Sequence, residues 1–353
     1  MLADAAQRRV TDRVEAVCRS IQDVYALRVT VLDIIREACP FEAYTWLLTD
    51  PETSVGAAPY AEVPCFSELP TLIRLRYASR FHRWTSLHGA TSVHLPDHLP
   101  PQTAQPVLDW CGFVRGYGIS DIATVVFRDR FGCWGWLDLW RTPNTGRFHE
   151  AEVDLLSAIC GVVTSCLRRC QARTFVRCTE PMGLAGPAVL RLSPALHVLE
   201  MTPQTREYLK ALVPPSPGQS PVPASAYNVS AQLLAVEAGV DVHKPLARVH
   251  VRAGRWVTVR AARFGEPGPP DSDIAVTLEE ISPSDRIDVF ARCHGFTARE
   301  REVLSLMVTG ADTREIGARM FVSEHTVQDH LKSIFAKTAC HSRPAVVSRA
   351  LGS

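Results

Sequence analysis

Apolar residues open the chain at intervals of three and four. Val10, Val14, Val17, Ile21 and Val24 therefore fall on one helical face. Leu27, Val31, Ile34 and Ile35 predict a second helix, ended by Pro40. The period then shortens, and residues 41–48 read as a strand stopped by Asp50-Pro51. Helices are expected over 69–84 and 105–116. A strand over 122–127, the polar Arg128-Asp129-Arg130 and a returning strand over 131–140 form the clearest pair, with Gly132 easing the turn. Even spacing puts Trp134, Trp136 and Trp140 on one face, where packing is their first role and a ligand wall the alternative. A helix over 150–169 closes this segment. Helices flanking an antiparallel sheet result.

The second segment begins with a strand over 188–192, a polar turn and a helix over 204–212. Pro214, Pro215, Pro217, Pro221 and Pro223 then predict a loop or spacer. A helix over 224–238 precedes strands over 247–251, 256–262 and 274–279. Gly254 suits the first connection, and the second is rich in Gly and Pro over 265–270.

The third segment is short and well punctuated. Thr297 caps a helix with Glu300 at the N3 position, and Val303, Leu304 and Met307 face a small core. Gly310 ends that helix; Asp312 and Glu315 repeat the capping pattern ahead of Ile316 and Met320. Phe321-Val322 connect to Ser323, which caps a third helix over 324–337. Val327, Leu331 and Ile334 mark its buried side; His325, Gln328, Asp329 and Lys332 its outward side. A helix fits the DNA major groove. Gln328 suits an adenine edge, Asp329 a cytosine amino group, and Lys332 a guanine or a phosphate. Thr326, Lys337 and Arg343 suit phosphates, as do the backbone amides that follow Ser323.

Thr297-x-Arg299-Glu300-x-Glu302-Val303-Leu304, Gly310, Glu315-Ile316, Ser323-x-x-Thr326-Val327-x-x-His330-Leu331, Ile334 and Lys337 together resemble the LuxR-type helix-turn-helix family, over about 60 of 353 residues. The resemblance implies a four-helix DNA-binding domain of transcription regulators, with base-reading positions at Gln328, Asp329 and Lys332 and backbone contacts at Thr326 and Lys337. It also implies binding of double-stranded DNA as a homodimer, supported by the last helix, and contact with RNA polymerase. Two departures stand out. The family's Leu-Gly-Val after the reading helix is here Thr338-Ala339-Cys340, and its alanine after Glu-Ile is Gly317.

Composition limits the mechanism. Lys+Arg total 38 and Asp+Glu 37, a net +1, so no general field attracts nucleic acid. Residues 293–353 carry 8 basic and 6 acidic residues (8 − 6 = +2), so DNA affinity must come from placed contacts, repeated in a dimer. Asp4, Arg8, Arg9, Asp12 and Arg13 break any signal-peptide core, and no run of about 18 apolar residues predicts a membrane span. The 11 cysteines are unevenly spaced, which suits reduced thiols in a cytoplasmic protein. Cys160, Cys166, Cys170 and Cys178 form the densest group without a matching metal-ligand pattern, so no metal is expected, and the sequence identifies no cofactor. Nucleophile-elbow, phosphate-loop and phosphoreceiver patterns are missing, so no enzyme is expected.

By element order, residues 1–178 resemble a GAF-type sensory domain and 184–284 a PAS-type one. The expected fold class is multidomain α+β: a GAF-like domain over 1–178, a PAS-like α/β domain over 184–284 and an all-α four-helix LuxR-type helix-turn-helix domain over 293–353. The expected function is a sequence-specific transcription regulator controlled by a small-molecule effector or a protein partner. The alternatives are a DNA-binding scaffold with protein-binding upstream domains and, further off, an enzyme.

Overall fold

A computed structural model describes residues 2–95, 103–176, 187–212, 222–264 and 272–352. Cys178, the proline-rich 213–221 and the Gly/Pro connection 265–271 lie outside the described residues. The backbone divides into two compact units. The first takes the chain to Leu167, the central segment to Val249, and Thr258–Glu279. The second takes residues 168–176, His250–Val257 and Glu280 onward.

In the first unit, α1 (Leu2–Ser20) and α2 (Val24–Ala38) lead in, and Asp23 caps α2 by accepting from the Ala26 N–H at 2.8 Å. The first sheet is built from β1 (Ala43–Thr49) and β2 (Gly56–Glu62). After α3 (Leu69–Ala78) come β3 (Gly89–His94), α4 (Gln105–Gly116), β4 (Asp121–Asp129) and β5 (Gly132–Arg141). Its order is β2-β1-β5-β4-β3, an open antiparallel sheet. The sequence pattern missed both edges. Pro59 disqualifies a central strand but is tolerated in β2, which pairs on one side only. β3 lacks the alternation that marks β4 and β5 because all six of its residues are only half-buried.

β5 lies at the centre and is buried on both faces. Trp136 stacks on Trp84 at 4.9 Å, and Trp140 meets Trp110 edge-on at 6.3 Å. The three tryptophans of β5 have almost no exposed surface. Gly132 sits where a Cβ would lie 2.3 Å from the Pro51 carbonyl oxygen, so the turn into β5 requires glycine.

α5 (Glu150–Arg173) closes the first segment and runs a full turn beyond the predicted end. A second open sheet follows, made of β6 (Ala188–Leu192), β7 (Val198–Met201) and, after α6 (Pro203–Leu212) and α7 (Ala224–Glu237), β8 (Leu246–His250), β9 (Trp256–Arg263) and β10 (Ile274–Glu280), in the order β7-β6-β10-β9-β8. The unpredicted β7 is a short, largely exposed edge strand.

Buried polar bonds tie the two sheet-bearing parts of the first unit together. Arg248 lies against Asp50, Nε to Oδ2 at 2.7 Å and Nη2 to Oδ1 at 2.9 Å, and its backbone N–H adds a third bond at 2.9 Å. Burial opposes the Asp50 charge, but the bonds and the positive charge of Arg248 outweigh it and hold the carboxyl below its usual range. Arg83 reaches Asp241 at 2.6 Å and the Gln232 amide oxygen at 2.9 Å. Thr53 and Ser225 donate to the carbonyls of Leu246 and Ala57, each at 2.7 Å.

The second unit holds α8 (Pro283–Cys293), α9 (Ala298–Val308), α10 (Thr313–Met320), α11 (Glu324–Thr338) and α12 (Arg343–Leu351). α8 was not predicted, although its signal was present. Ser282 accepts from the Asp285 N–H at 3.1 Å, and Pro283 occupies the first turn. Among the described residues, no helix is long and apolar enough to cross a membrane.

Candidate nucleic-acid interface

Three consecutive N-caps fix the rotation of the three helices. Thr297 accepts from the Glu300 N–H at 3.2 Å while Glu300 accepts from the Thr297 N–H at 2.6 Å. Asp312 and Glu315 repeat the reciprocal pair at 2.8 and 2.9 Å. Ser323 accepts from the Thr326 N–H at 3.1 Å. Each capping bond contributes about 1 kcal/mol.

The turn between α10 and α11 is tight. Phe321 takes a left-handed conformation (φ 55°, ψ 44°) with its side chain 94% exposed. Gly317 explains one departure from the family pattern, since a Cβ there would lie 2.9 Å from the Val322 carbonyl oxygen. The backbone approaches at this point, with the Val322 N–H donating to the Gly317 carbonyl at 3.0 Å.

α11 has two unlike sides. Val327, Leu331 and Ile334 are buried, along with Thr338. His325, Gln328, Asp329 and Lys332 are exposed, as is Ser323, with Thr326 half-buried beside them. Asp329 is flanked by both basic neighbours: Lys332 Nζ at 3.2 Å and His325 Nε2 at 3.7 Å. Such exposed pairs contribute little to stability, so all three side chains can be redirected at small cost.

Lys337 is placed differently. Its ammonium donates to both Glu300 oxygens, at 2.7 and 2.6 Å, and Ser333 donates to the same carboxylate at 2.6 Å. Burial opposes the Glu300 charge, but these bonds prevail and bring the carboxyl down to about 2. Arg343 donates to the Thr313 hydroxyl at 2.6 Å and so links α12 to α10. The structure thus gathers Ser323, His325, Thr326, Gln328, Asp329 and Lys332 on one surface. It engages Lys337 and Arg343 within the helical unit. Sequence reasoning missed the Glu300–Lys337 tie because the two residues belong to different helices.

Ala339 follows α11 in a left-handed conformation (φ 50°, ψ 35°), at the position where the family carries glycine. An alanine there costs about 1 kcal/mol relative to glycine. Ala339→Gly is therefore expected to raise the melting temperature of the second unit by about 4–8 °C, read by calorimetry.

The first unit contains a buried polar centre that the sequence did not reveal. Arg76 Nε donates to Asp138 at 3.2 Å, Thr124 donates to the other Asp138 oxygen at 2.6 Å, and Arg76 Nη2 donates to the His82 carbonyl at 3.0 Å. The guanidinium lies 5.2 Å from the Trp84 ring centre, 5.6 Å from Trp110 and 5.3 Å from Trp136. Asp138 shares the even-numbered face of β5 with Trp136, a signal the spacing contained. The described cysteines are all buried except the half-buried Cys160, and burial raises the Cys39 and Cys160 thiols to about 12. Among the described residues, no group of three His, Cys, Asp or Glu side chains is placed to hold a metal.

Comparison with known proteins adds the family. Residues 294–350 match the family described as bacterial regulatory proteins, luxR family. The CsgBAC operon transcriptional regulatory protein of Escherichia coli is 43% identical over 52 residues, 15% of this chain and 24% of that one. This chain thus spans about a quarter of that relative's length. The spore germination protein GerE of Bacillus subtilis is 39% identical over 51 residues, 14% of this chain and 69% of GerE. Among solved structures, the VqmA dimer of Vibrio cholerae is similar at 16% identity over 47% of this chain and 82% of that one, with a TM-score of 0.17. That score carries no weight for the upstream sheets. Through the helices of residues 294–350, with their serial caps and matched core, the chain belongs to the luxR family of bacterial regulatory proteins.

Proposed function

We propose that the chain is a sequence-specific transcription regulator that binds double-stranded DNA as a homodimer under the control of an upstream sensor. The observation that carries this reading is α11, capped at Ser323 and seated by Val327, Leu331 and Ile334, with Gln328, Asp329 and Lys332 exposed on its other side. Gln328 and Asp329 read base edges, and Lys332 reads a base or a phosphate. Ser323, Thr326 and the first amides of α11 receive a phosphate, with His325 beside them. Lys337 and Arg343 supply backbone contacts from the margin of this surface. α12 supports the dimer, and the regulator contacts RNA polymerase.

Upstream, we assign 1–178 as a GAF-like and 184–284 as a PAS-like sensory domain, with 293–353 as the DNA-binding domain. The centre around Arg76 supports a small-molecule effector. Arg76 Nη1, Trp136 Nε1 and Trp140 Nε1 are buried donors without a protein acceptor among the described residues. Such groups are rare unless something else satisfies them.

Selection of bound fragments from a random duplex library by the purified full chain tests the reading. Paired half-sites about 10 base pairs apart, or a multiple of that, are expected. Gln328→Ala should relax the preference at one position of each half-site by about 1–3 kcal/mol. Lys332→Ala should weaken binding and, if it meets a phosphate, lower the salt dependence by about one ion. Enrichment of no sequence, or variants indistinguishable from the parent, rejects the assignment.

A further inference from the structure

The second unit contains a cavity of about 390 Å³ where the last turns of α5 meet the end of α11. Among the described residues its walls include Arg168, Arg169, Arg173, Lys337, Arg349 and His294, and no aspartate or glutamate. That volume is within the range of small-molecule sites. We propose that this cavity binds a small phosphorylated anion, held by the guanidinium groups of α5 against the end of the reading helix.

Two physical arguments and one observation support it. Like charges gathered in one concavity repel each other, and the site relaxes when a polyanion enters. Arginine forks match phosphate oxygens in pairs, which favours a phosphate over a single carboxylate. Arg173 makes no hydrogen bond or ion pair among the described residues, so its guanidinium is available.

The negative end of α11 does not cancel this field. Its last carbonyls are already satisfied, Thr338 by Arg349 at 2.7 Å and Lys337 by His294 Nδ1 at 3.1 Å. The other ring nitrogen, His294 Nε2, is buried without a partner among the described residues. Burial, reinforced by Arg349 and Arg168, brings this imidazole down to about 4, as expected of a ring in a positive field.

Lys337 lies on the wall with its charge partly met by Glu300. Arg173 therefore leads the attraction, with the partly engaged Arg168, Arg169 and Arg349 beside it. An occupant would fasten α5 to the C-terminal end of α11, which gives the reading helix a second control independent of the buried centre around Arg76.

Titration calorimetry of the full chain with sodium pyrophosphate at constant ionic strength tests this. One site per chain is expected. Arg169→Gln with Arg173→Gln, both at exposed positions, should weaken it by about tenfold or more, as loss of charge-assisted bonds predicts. Lys332→Ala, on the outward side of α11, should leave pyrophosphate binding unchanged. Absence of pyrophosphate binding overturns the proposal, as does equal weakening by Lys332→Ala. Displacement of pyrophosphate by a short DNA duplex would make the cavity a DNA-backbone contact and also overturn it.

Discussion

Arg248→Ala is expected to destabilise the first unit by about 3–5 kcal/mol, which corresponds to a fall in melting temperature of about 10 °C. The two charged side chains are almost fully buried, 1% exposed for Arg248 and 0% for Asp50. Removing the guanidinium strands a carboxylate that water cannot reach. Much of the loss therefore reflects the unpaired charge rather than the strength of the pair. Asp50→Asn in an Arg248→Met background should accordingly recover part of the stability, because neither position then leaves a buried charge. The single variant should also lose the acid sensitivity that the pair confers. Asp50 titrates lower in the folded chain than unfolded, so its contribution is present above the ordinary aspartate pKa of about 3.9 and disappears as pH falls through the folded value. Calorimetric melts of the three proteins across the acid range check both points. A melt unchanged by Arg248→Ala would mean that the tie carries no stability.

Glu300→Ala should cost the second unit about 3 kcal/mol. One carboxylate closes the capping box of α9 and holds Ser333 and Lys337 of α11, so a single truncation releases two helices. Glu300→Gln keeps the capping geometry and loses the charge, and should cost about half as much. The pH profile separates the parts. The folded carboxyl lies at about 2 against an ordinary 4.5, so its stabilisation is complete above 4.5 and lost as pH drops toward 2. His294 acts in a higher window. Its buried ring lies at about 4 against 6.5, and protonation of the unfolded chain destabilises the fold as pH falls from 6.5 to 4. Glu300→Gln should flatten the lower window and leave the upper one in place. A variant that still loses stability steeply between 4.5 and 2 would assign the effect to other carboxylates.

The legible parts of this chain are those where local chemistry and long-range packing agree. Thr297, Asp312 and Ser323 each sit one residue before an apolar-periodic stretch, and each caps the predicted helix. β4 and β5 were legible because both strands are central and strongly apolar. The edges were not. β2 contains Pro59, β3 is half-buried, and β7 has four residues, so none carries the period that burial imposes on inner strands. Ion pairs between distant segments were invisible for another reason. Arg248 and Asp50 are 198 positions apart, and Glu300 and Lys337 lie on separate helices. No sequence spacing encodes such meetings. The outward side of α11 was legible because the helical period that buries Val327 and Leu331 must expose Gln328 and Lys332.

Asp329 stands between His325 and Lys332 at the middle of that side. In the proposed complex its carboxylate repels the phosphates of any duplex, whatever the sequence, and is compensated only where a base offers it a donor. Indiscriminate adhesion to the chromosome is correspondingly weak. In that complex fewer molecules are held at random sites, so less of the protein is needed to fill its proposed operators.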